Sequence, residues 1–539
     1  MRFSRAACPA MLESLHGPNG HARYSIFAAD PAAVFVARGG AGACPLRALA
    51  AHIAKLPGLA PDPGARLPFV GGWIGFITYE AGLGVAGLAA AGGVSRADRA
   101  GVSSVAGSSY ASSATHHAGP SDVSGPSGVS YVIDRINMPG VTGRGSMEGP
   151  AWPVVRFCLY DAVAVLDHDA GQWYVAAVAW PQRGARYVAR RCERRHRGRG
   201  EADELALVAA RPPVAARLGS VRRLLAESAS LSVSPPRRPN SSAAVANMSR
   251  DAYFAKVDRA LGHIAAGNIY QVNLTQRFTC TTDADPADLY RRLRVASPSS
   301  HAAYVSWGDR AVISSSPELF LDVRGGHVVT RPIKGTRPRT GEPDRDAAFR
   351  RALAESAKDR AELTMIVDLL RNDLGRVCSF GSVKVRDAGR IEAHPTVFHR
   401  VATIDGQLAA GRGWLDVLLA AFPGGSVTGA PKIRAMHIIA ALEPTPRGVY
   451  CGSIGMIGLD GSMSLSIAIR TMVQAGRVVH MYAGGAIVAD STPADEYDEI
   501  LAKAAGMMRA LDCRVRSGRR SHRVRRDAAS WLRPMGAAT

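Results

Sequence analysis

Lys334 is the one lysine in a segment whose other positive charges are arginines, VVTRPIKGTRPRTGEP at residues 328–343. An arginine would keep the charge at this position but would not release a proton near neutral pH. A desolvated lysine does so and can then act as a nucleophile. The residue type therefore leaves two interpretations open, a surface cation and a reactive amine.

Two predicted helices carry glutamates, and on each helix these share a face with other residues of interest. In DRAELTMIVDLLRND, Glu362 shares a face with the apolar Ile366. In DEYDEILAK, Glu496, Glu499 and Lys503 share a face. Carboxylates that separate helices bring to one site suit Mg²⁺, which completes its octahedron with water and substrate oxygens. Ordinary ion pairs on the helix surface are the alternative that the spacing leaves open.

A glycine-rich segment, FPGGSVTGAPKIRAM at residues 422–436, resembles a phosphate loop. It departs from the nucleotide-binding pattern because Ala-Pro precedes Lys432 and no hydroxyl residue follows it. Its backbone N–H groups could still bind a carboxylate. Gly484 and Gly485 in YAGGAIV would allow close backbone approach, and Arg470 in SIAIRTMV could clamp a carboxylate. Each of these features alone is more typical of a turn or a surface residue.

The composition is that of a globular protein, with 47% hydrophobic and 21% charged residues among 539. The formal net charge of +21 is concentrated in two segments. Arginines outnumber acids 14 to 5 between residues 181 and 240, and 8 to 2 between residues 512 and 539. Neither segment interleaves several aromatic residues that would stack on bases, so we do not expect a nucleic-acid partner.

The cellular setting follows from the cysteines and the apolar segments. The 8 cysteines form no C-x-x-C pair, so a zinc site is not expected. The N-terminal segment lacks the apolar core of a signal peptide. The most apolar stretch, residues 70–94, contains Glu80 and many glycines, which argues against a membrane span. We therefore expect a cytoplasmic protein without a membrane partner.

The patterning of the chain predicts its organisation. The run from Pro153 to Trp180 alternates in polarity and predicts a hairpin at residues 167–171. Ser249 is the expected N-cap of a long amphipathic helix that Gly267 ends. Strands and helices without regular βαβ alternation predict an α+β fold built on large antiparallel sheets. The predicted regions are an N-terminal region at 1–182 with a low-complexity insertion at 83–149, an arginine-rich helix and linker at 183–245, a catalytic domain at 246–511 and a basic, disordered tail at 512–539.

Six motifs occur in order between residues 249 and 511: PIKGTRPR, ELTMIVDLLRNDLGRV, FPGGSVTGAPKIRAM, RGVYCGSIGMIG, SIAIRTMV and YAGGAIVADSTPADEYDEILAKA. Together they resemble the signature blocks of the chorismate-utilising enzymes, in the branch of anthranilate synthase component I and aminodeoxychorismate synthase component I. The N-terminal segments MLES, ARYSIF and FVGGWIGFITYE resemble that branch as well. The resemblance implies that the antiparallel sheets stack as a sandwich with flanking helices.

The resemblance also implies roles for individual residues. Glu362 and Glu499 match the magnesium ligands, with Glu496 nearby. Glu318 matches the general acid that helps the C4 hydroxyl of chorismate to leave. Gln271 stands where water-using relatives have a lysine base, and because a glutamine cannot deprotonate water, ammonia is the expected second substrate. The positions that hold the substrate match Gly335, Thr336, His399, Tyr450, Arg470, Gly484, Gly485, Ala486 and Lys503.

The resemblance favours the reactive amine at Lys334. In the branch, aminodeoxychorismate synthases commonly carry PIKGT, as this chain does, whereas anthranilate synthases carry PIAGT. The resemblance thus implies that chorismate and ammonia become 4-amino-4-deoxychorismate, for 4-aminobenzoate and folate biosynthesis, with Lys334 as covalent nucleophile. Contact of Lys334 with a substrate carboxylate alone is the other interpretation. No cysteine lies in a G-x-C-x-G pattern, so a separate glutaminase subunit is expected to supply the ammonia.

Anthranilate synthase component I, in tryptophan biosynthesis, is the alternative function. Tryptophan-inhibited members carry a pattern like NPSPY, where this chain has SPSSH at residues 297–301. This departure puts tryptophan binding in doubt, although MLES retains the other half of that pocket. A basic nucleic-acid-binding or scaffold protein on a degenerate synthase fold is a further alternative, against which the intact acidic and glycine-rich motifs argue.

Overall fold

The computed structural model describes residues 6–14, 23–38, 44–56, 58, 67–86, 152–180, 212–229 and 235–516. The predicted low-complexity insertion from residue 87 onward, most of the predicted arginine-rich segment up to residue 211, and the predicted basic tail from residue 517 onward lie outside the described residues.

The described strands are numbered in chain order. They are β1 (Ala10–Glu13), β2 (Tyr24–Ala28), β3 (Ala33–Ala37), β4 (Gly72–Ile77), β5 (Val155–Tyr160), β6 (Ala162–Asp167), β7 (Gln172–Ala177), β8 (Val245–Ala246), β9 (Gln271–Thr281), β10 (His301–Trp307), β11 (Arg310–Ser316), β12 (Leu319–Arg324), β13 (His327–Arg331), β14 (Ile333–Pro338), β15 (Lys384–Ala393), β16 (Val397–Gln407), β17 (Gly429–Ala430), β18 (Ser453–Gly458), β19 (Met463–Ile467), β20 (Thr471–Ala475) and β21 (Val478–Ile487).

The described helices are numbered in the same way. They are α1 (Pro45–Ile53), α2 (Ala81–Val85), α3 (Val214–Ala229), α4 (Arg250–Ala265), α5 (Pro286–Ala296), α6 (Pro343–Glu355), α7 (Ala357–Gly375), α8 (Trp414–Ala421), α9 (Lys432–Leu442) and α10 (Pro493–Leu511). A short 3₁₀ turn, Gly425–Val427, lies inside the glycine-rich segment. No helix among the described residues has the length and apolar content needed to cross a membrane.

The strands form two large antiparallel sheets. In the first sheet the order is β17-β9-β21-β20-β11-β10-β1-β2-β6-β7, with β8 also paired to β9. In the second sheet the order is β14-β16-β13-β12-β19-β18-β4-β5-β3, with β15 also paired to β16. The predicted α+β fold with large antiparallel sheets is confirmed. Strands of the predicted N-terminal region and of the predicted catalytic domain contribute to both sheets.

Alternating side chains place the core on both faces of each sheet. On β6, Val163 and Val165 belong to a buried layer that also contains Phe76 and Tyr160 of the second sheet, so the two sheets pack face to face. The neighbouring Ala164 points the other way, into the layer covered by α4, α5, α9 and α10. The outer face of the second sheet packs against α1, α7 and α8. The arrangement is a two-sheet sandwich with flanking helices.

Local signals in the sequence produce several of these elements as predicted. The side chain of Ser249 accepts a hydrogen bond from the backbone N–H of Ala252 at 3.1 Å and begins α4. The predicted hairpin at residues 167–171 is confirmed, because β6 and β7 pair with Asp167 opposite Gln172. At the start of α10, Thr492 caps the helix and Pro493 occupies its first turn, which fixes the orientation of the glutamates that follow.

Candidate active site

The chain crosses between the two sheets at two neighbouring places, and each crossing carries a predicted site residue. Glu318 lies between β11 of the first sheet and β12 of the second. Arg470 lies between β19 of the second sheet and β20 of the first, with a φ of 51°. Backbone hydrogen bonds join the two crossings to the neighbouring strands. The N–H of Ser315 on β11 donates to the carbonyl of Arg470 at 3.1 Å. The N–H of Ile467 on β19 donates to the carbonyl of Glu318 at the same distance. Glu318 and Arg470 therefore lie in one cleft.

Lys334 lies on β14 with its side chain only 10% exposed. Its Nζ is 3.7 Å from Oε2 of Glu362 on α7. Gly335 has a φ of 84°, and a Cβ at this position would lie 2.9 Å from side-chain atoms of Asp359 and Leu353. Glycine is therefore required next to Lys334, because β14 presses against α6 and α7. The interpretation of Lys334 as an ordinary surface cation is wrong, because its side chain is largely buried beside the carboxylate of Glu362.

Glu318 is 5% exposed and is the best-placed proton donor of the cleft. Burial raises its pKa to about 7, although the Ser426 hydroxyl and the charges of Lys334 and Lys503 act to lower it. A carboxyl with this pKa is about half protonated at neutral pH and largely protonated below it, so it can donate a proton to a leaving group. This property agrees with the role of general acid that the resemblance implies.

The glutamates of α10 lie within the electrostatic reach of Lys334. Glu499 is 2.5 Å from the amine of Lys503, whose charge lowers the pKa of this carboxyl, and the charge of Lys334 also contributes. Glu496 is 2% exposed, and its pKa is raised to about 7 by burial and by the charge of Glu499. The hydroxyl of Ser491 donates to Oε1 of Glu496 at 2.6 Å. The positive charges of Lys503 and Lys334 thus compensate the charge of Glu499, and the hydroxyl of Ser491 satisfies one oxygen of Glu496.

The three glutamates have the donor chemistry of a magnesium site, since hard cations prefer carboxylate oxygens. Oε2 of Glu496 is buried without a hydrogen-bond partner among the described residues, as expected of an oxygen available to a further group. However, the described residues contain no group of three ligating side chains already placed as a metal centre. Instead, Glu362 faces Lys334 and Glu499 faces Lys503. The magnesium cofactor therefore stays a prediction.

Several predicted substrate-binding residues meet on paired strands β9 and β21. Gly484, Gly485 and Ala486 lie opposite Thr275, Leu274 and Asn273 in this pairing, and Gln271 is two residues before Asn273 on β9. A Cβ on Gly485 would lie 2.6 Å from Oε2 of Glu496, so glycine is what allows α10 to approach the strand. Lys503 donates to the carbonyl of Gly484 at 2.9 Å.

Gln271 is fully buried at the start of β9. Neither its amide nitrogen nor its amide oxygen has a hydrogen-bond partner among the described residues. An unpaired buried amide costs free energy, about 1–3 kcal/mol for each unsatisfied group. Such a side chain is suited to a small polar ligand that restores the missing hydrogen bonds.

The remaining predicted residues lie on the second sheet and near its crossing. Thr336 and His399 are paired across β14 and β16, with 2.8 Å between Oγ1 and Nδ1. Burial, together with the charges of His394 and Arg470, lowers the pKa of His399 well below its ordinary value, so its ring is neutral. Tyr450 stacks on Tyr482, with 5.2 Å between ring centroids.

Sequence reasoning missed two features of the glycine-rich segment. It assigned no role to Ser426, which hydrogen-bonds the carboxyl of Glu318. It also assigned no role to Lys432, whose Nζ lies 2.6 Å from Asp373 and 2.7 Å from the carbonyl of Ala421. Lys432 therefore holds the segment against α7 and α8. No local pattern could have revealed these partners, which are distant in the sequence.

The chain is similar to known proteins over most of its length. The model of a family described as chorismate binding enzyme matches residues 138–509. Anthranilate synthase component 1 of Streptomyces coelicolor is 36% identical over 503 residues, which are 93% of this chain and 83% of that protein. Aminodeoxychorismate synthase component 1 of Klebsiella aerogenes is 46% identical over 267 residues, which are 50% of this chain and 59% of that protein.

Solved structures with similar folds cover nearly the whole chain. Anthranilate synthase component I from Streptococcus pneumoniae aligns with a TM-score of 0.65 and 25% identity, over 90% of this chain and 92% of that chain. The menaquinone-specific isochorismate synthase from Escherichia coli aligns with a TM-score of 0.61 and 15% identity, over 95% of this chain and 91% of that chain. The fold that the sequence predicted by resemblance is confirmed.

We expect Gly335→Ala to lower the free energy of unfolding by roughly 2–4 kcal/mol, because it forces a strained φ and overlaps Asp359 and Leu353. Urea unfolding followed by circular dichroism measures the change. Gly262→Ala is the matched control, since nothing lies within 4 Å of a Cβ at this exposed position on α4. The control should gain about 0.5–1 kcal/mol. Equal effects of the two substitutions would contradict the role of Gly335.

Glu318→Gln should change how stability depends on pH. The folded protein binds the Glu318 proton more tightly than the unfolded chain does, because the pKa rises from 4.5 to about 7 on folding. This contribution is complete below pH 4.5 and is lost as the pH rises through 7. Relative to Glu318→Gln, the wild type should lose on the order of 3 kcal/mol between these limits.

The test measures urea unfolding of both proteins across that pH range. Glu496, whose pKa is also raised to about 7, is present in both proteins and cancels from the difference. A difference that stays constant with pH would show that Glu318 ionises normally.

Proposed function

Since the chain belongs to the chorismate binding enzyme family, we propose that it is component I of an aminodeoxychorismate synthase. In this proposal it converts chorismate and ammonia into 4-amino-4-deoxychorismate, which serves 4-aminobenzoate and folate biosynthesis. The observation that carries the proposal is the enclosed amine of Lys334. It lies 3.7 Å from Glu362, and its charge acts on both Glu318 and Glu499.

The proposed reaction has two displacements on the ring. The amine of Lys334 attacks C2 through its nitrogen lone pair, the ring double bond shifts, and the C4–O bond breaks. Glu318 gives its proton to the departing oxygen, which leaves as water. Ammonia then attacks C4, the double bond shifts back, and the C2–N bond breaks to release the lysine amine. The new C4 ammonium returns one proton to Glu318, so the cycle closes with one ammonia gained and one water lost.

Two displacements explain why a lysine is needed at residue 334. Direct attack of ammonia with a shift of the double bond would place nitrogen on C2. An intermediate bond between C2 and Lys334 lets ammonia enter at C4, the carbon that lost oxygen. An alanine at this position offers no such intermediate. The residue at position 334 therefore selects the carbon that is aminated.

Glu362 and Glu499 are the residues that would hold a magnesium ion, with Glu496 beside them. Such an ion, when bound, would neutralise these carboxylates and provide a positive site for a carboxylate of the substrate. The chain's own residues orient the rest of chorismate. We assign its carboxylates to the backbone of β21, to Arg470 and to Lys503, all of which border the same cleft.

Ammonia as second substrate is supported by Gln271. Its buried amide has no basic nitrogen that could deprotonate water, whereas ammonia needs no base to act as a nucleophile. Free ammonia is scarce at neutral pH, so we propose that a separate glutaminase subunit delivers it. The names of the relatives support a partner, because both are described as component 1 of their synthases.

Anthranilate synthase component I is the second candidate function. It is favoured by the relative from Streptomyces coelicolor, whose similarity extends over 93% of this chain. Against it stands Lys334, because the resemblance gives anthranilate synthases an alanine there. The two functions differ in the product from the same substrates, so a product assay separates them.

We expect purified protein with chorismate, Mg²⁺ and ammonium to form 4-amino-4-deoxychorismate, identified by mass spectrometry. Lys334→Ala should reduce this rate by on the order of a thousandfold or more, because the nucleophile is lost. Without ammonium, the wild type should carry a covalent adduct on Lys334, detected by the intact mass and by peptide mapping. Lys384→Ala is the matched control, since Lys384 is exposed on β15.

Fluorescent anthranilate as the product, formed without any lyase, would overturn the proposed function. Retention of aminodeoxychorismate formation by Lys334→Ala would instead leave the function intact and show that this lysine is not the nucleophile.

A further inference from the structure

A second cluster of reactive groups lies away from the cleft, around the guanidinium of Arg156. Arg156 belongs to β5 and is 5% exposed, in the layer between the two sheets. Nη1 lies 2.9 Å from Sγ of Cys158, and Nη2 lies 3.4 Å from Sγ of Cys8. The guanidinium carbon is 4.7 Å from the ring centroid of Trp307. In the part of the chain that the structure describes, its polar partners are thus two sulfur atoms.

A buried guanidinium needs a negative partner, because the cost of removing its charge from water is otherwise uncompensated. Among the described residues, Arg156 forms no ion pair with a carboxylate. A thiolate is the anion that the neighbouring sulfurs can provide. The electrostatics of this position therefore favour ionisation of one cysteine.

Cys8 and Cys158 differ in the properties that decide which one ionises. Cys8 is partly exposed just before β1, whereas Cys158 is 1% exposed on β5. A hydrogen bond from Cys158 and the charge of Arg156 lower the pKa of Cys8 to about 6 against the opposing effect of burial. Burial raises the pKa of Cys158 well above its ordinary value. These differences favour a thiolate at the partly exposed Cys8 and a thiol at the buried Cys158.

The backbone holds Cys8 in an unusual conformation. Its φ of 43° lies in the left-handed region, which residues other than glycine rarely adopt. The hydroxyl of Tyr160 donates to the carbonyl of Cys8 at 2.5 Å, and the N–H of Asp30 donates to the carbonyl of Ala7 at 2.9 Å. These hydrogen bonds fix the segment so that the Cys8 sulfur reaches Arg156 and Cys158. Strain of this kind is typical of functional positions.

We propose that Cys8 and Cys158 form a peroxide-sensitive dithiol site that oxidises to a disulfide. The Cys8 thiolate attacks one oxygen of a peroxide, the O–O bond breaks, and Cys8 becomes a sulfenic acid. The sulfur of Cys158 then attacks that of Cys8, the S–O bond breaks, and the hydroxide leaves as water with the Cys158 proton. The two cysteines lose two electrons, which reduce the peroxide.

The disulfide would join the segment before β1 in the first sheet to β5 in the second sheet. It would also remove the thiolate that balances Arg156. The site is independent of the reaction proposed above, because none of its residues borders the cleft of Lys334.

Cys280 and Cys513 provide an internal comparison. Their sulfurs also hydrogen-bond each other, but the described residues place no guanidinium against them. Cys280 is 2% exposed, so a peroxide reaches it less readily than Cys8. We therefore expect this pair to oxidise more slowly.

The first test measures the rate of alkylation of Cys8 by iodoacetamide as a function of pH, with peptide mass spectrometry as the readout. We expect a midpoint near pH 6 for the wild type. Arg156→Met should raise the midpoint, because it removes the charge of Arg156, which lowers the pKa of Cys8. Cys280→Ala should leave it unchanged. A wild-type midpoint at or above about 8 would overturn the proposal.

The second test treats the full-length protein with one equivalent of hydrogen peroxide. The expected product is a peptide pair linked through Cys8 and Cys158, formed before any link between Cys280 and Cys513. Cys158→Ala should stop at the sulfenic acid of Cys8, which dimedone traps. Oxidation without a bond between Cys8 and Cys158 would overturn the proposal, and this outcome decides the matter even where Arg156→Met fails to fold.

Discussion

The buried ion pair between Arg447 and Glu443 is the interaction on which the candidate active site depends. Arg447 is 2% exposed and makes two hydrogen bonds to the Glu443 carboxylate, at 2.7 and 2.9 Å. It also donates to the carbonyls of Val427 and Asn273, at 2.8 and 2.9 Å, and Glu443 accepts the N–H of Thr275 at 3.0 Å. One guanidinium thus joins the glycine-rich segment to β9. Because a buried pair is tolerated only when its hydrogen bonds are satisfied, this junction can hold few alternative geometries.

The same junction connects the N-terminal strands to the site. The Arg447 guanidinium lies over the ring of Tyr79, with 4.6 Å to the centroid. The carboxylate of Glu80 accepts the backbone N–H groups of Arg447 and Gly448, at 2.9 and 3.1 Å. Tyr79 and Glu80 lie just beyond the end of β4, which is paired with β18 in the second sheet. The strands before residue 180 are therefore part of the support of the cleft, and a boundary drawn by sequence patterning alone does not separate two independent cores.

Features that depend on a few neighbouring residues could be predicted from the sequence, and features that depend on distant partners could not. Ser249 signals the start of its helix because the hydrogen bond that it accepts comes from three residues ahead. The antiparallel fold follows from the short patterned strands and from the resemblance. In contrast, Lys432 pairs with Asp373, and Ser426 reaches Glu318, across more than fifty residues of sequence. Hydrophobic periodicity carries no information about such pairs, since it reports only which face of an element is buried.

The fold leaves the product undetermined, because proteins named for different chorismate reactions share it. The isochorismate synthase from Escherichia coli aligns with this chain at a TM-score of 0.61 despite 15% identity. The difference in chemistry must then reside in a few side chains that the common scaffold supports. In the proposed function Gln271 and Lys334 are such positions, one on β9 of the first sheet and one on β14 at the edge of the second sheet. Gln271 offers no base that could activate water, which concerns whether water or ammonia is the nucleophile. Lys334 offers an amine, which concerns the carbon that is attacked. Because Gly335 keeps β14 against α7, the amine at 334 stays beside Glu362. In the proposed function, a change of this one side chain would alter the product without altering the fold.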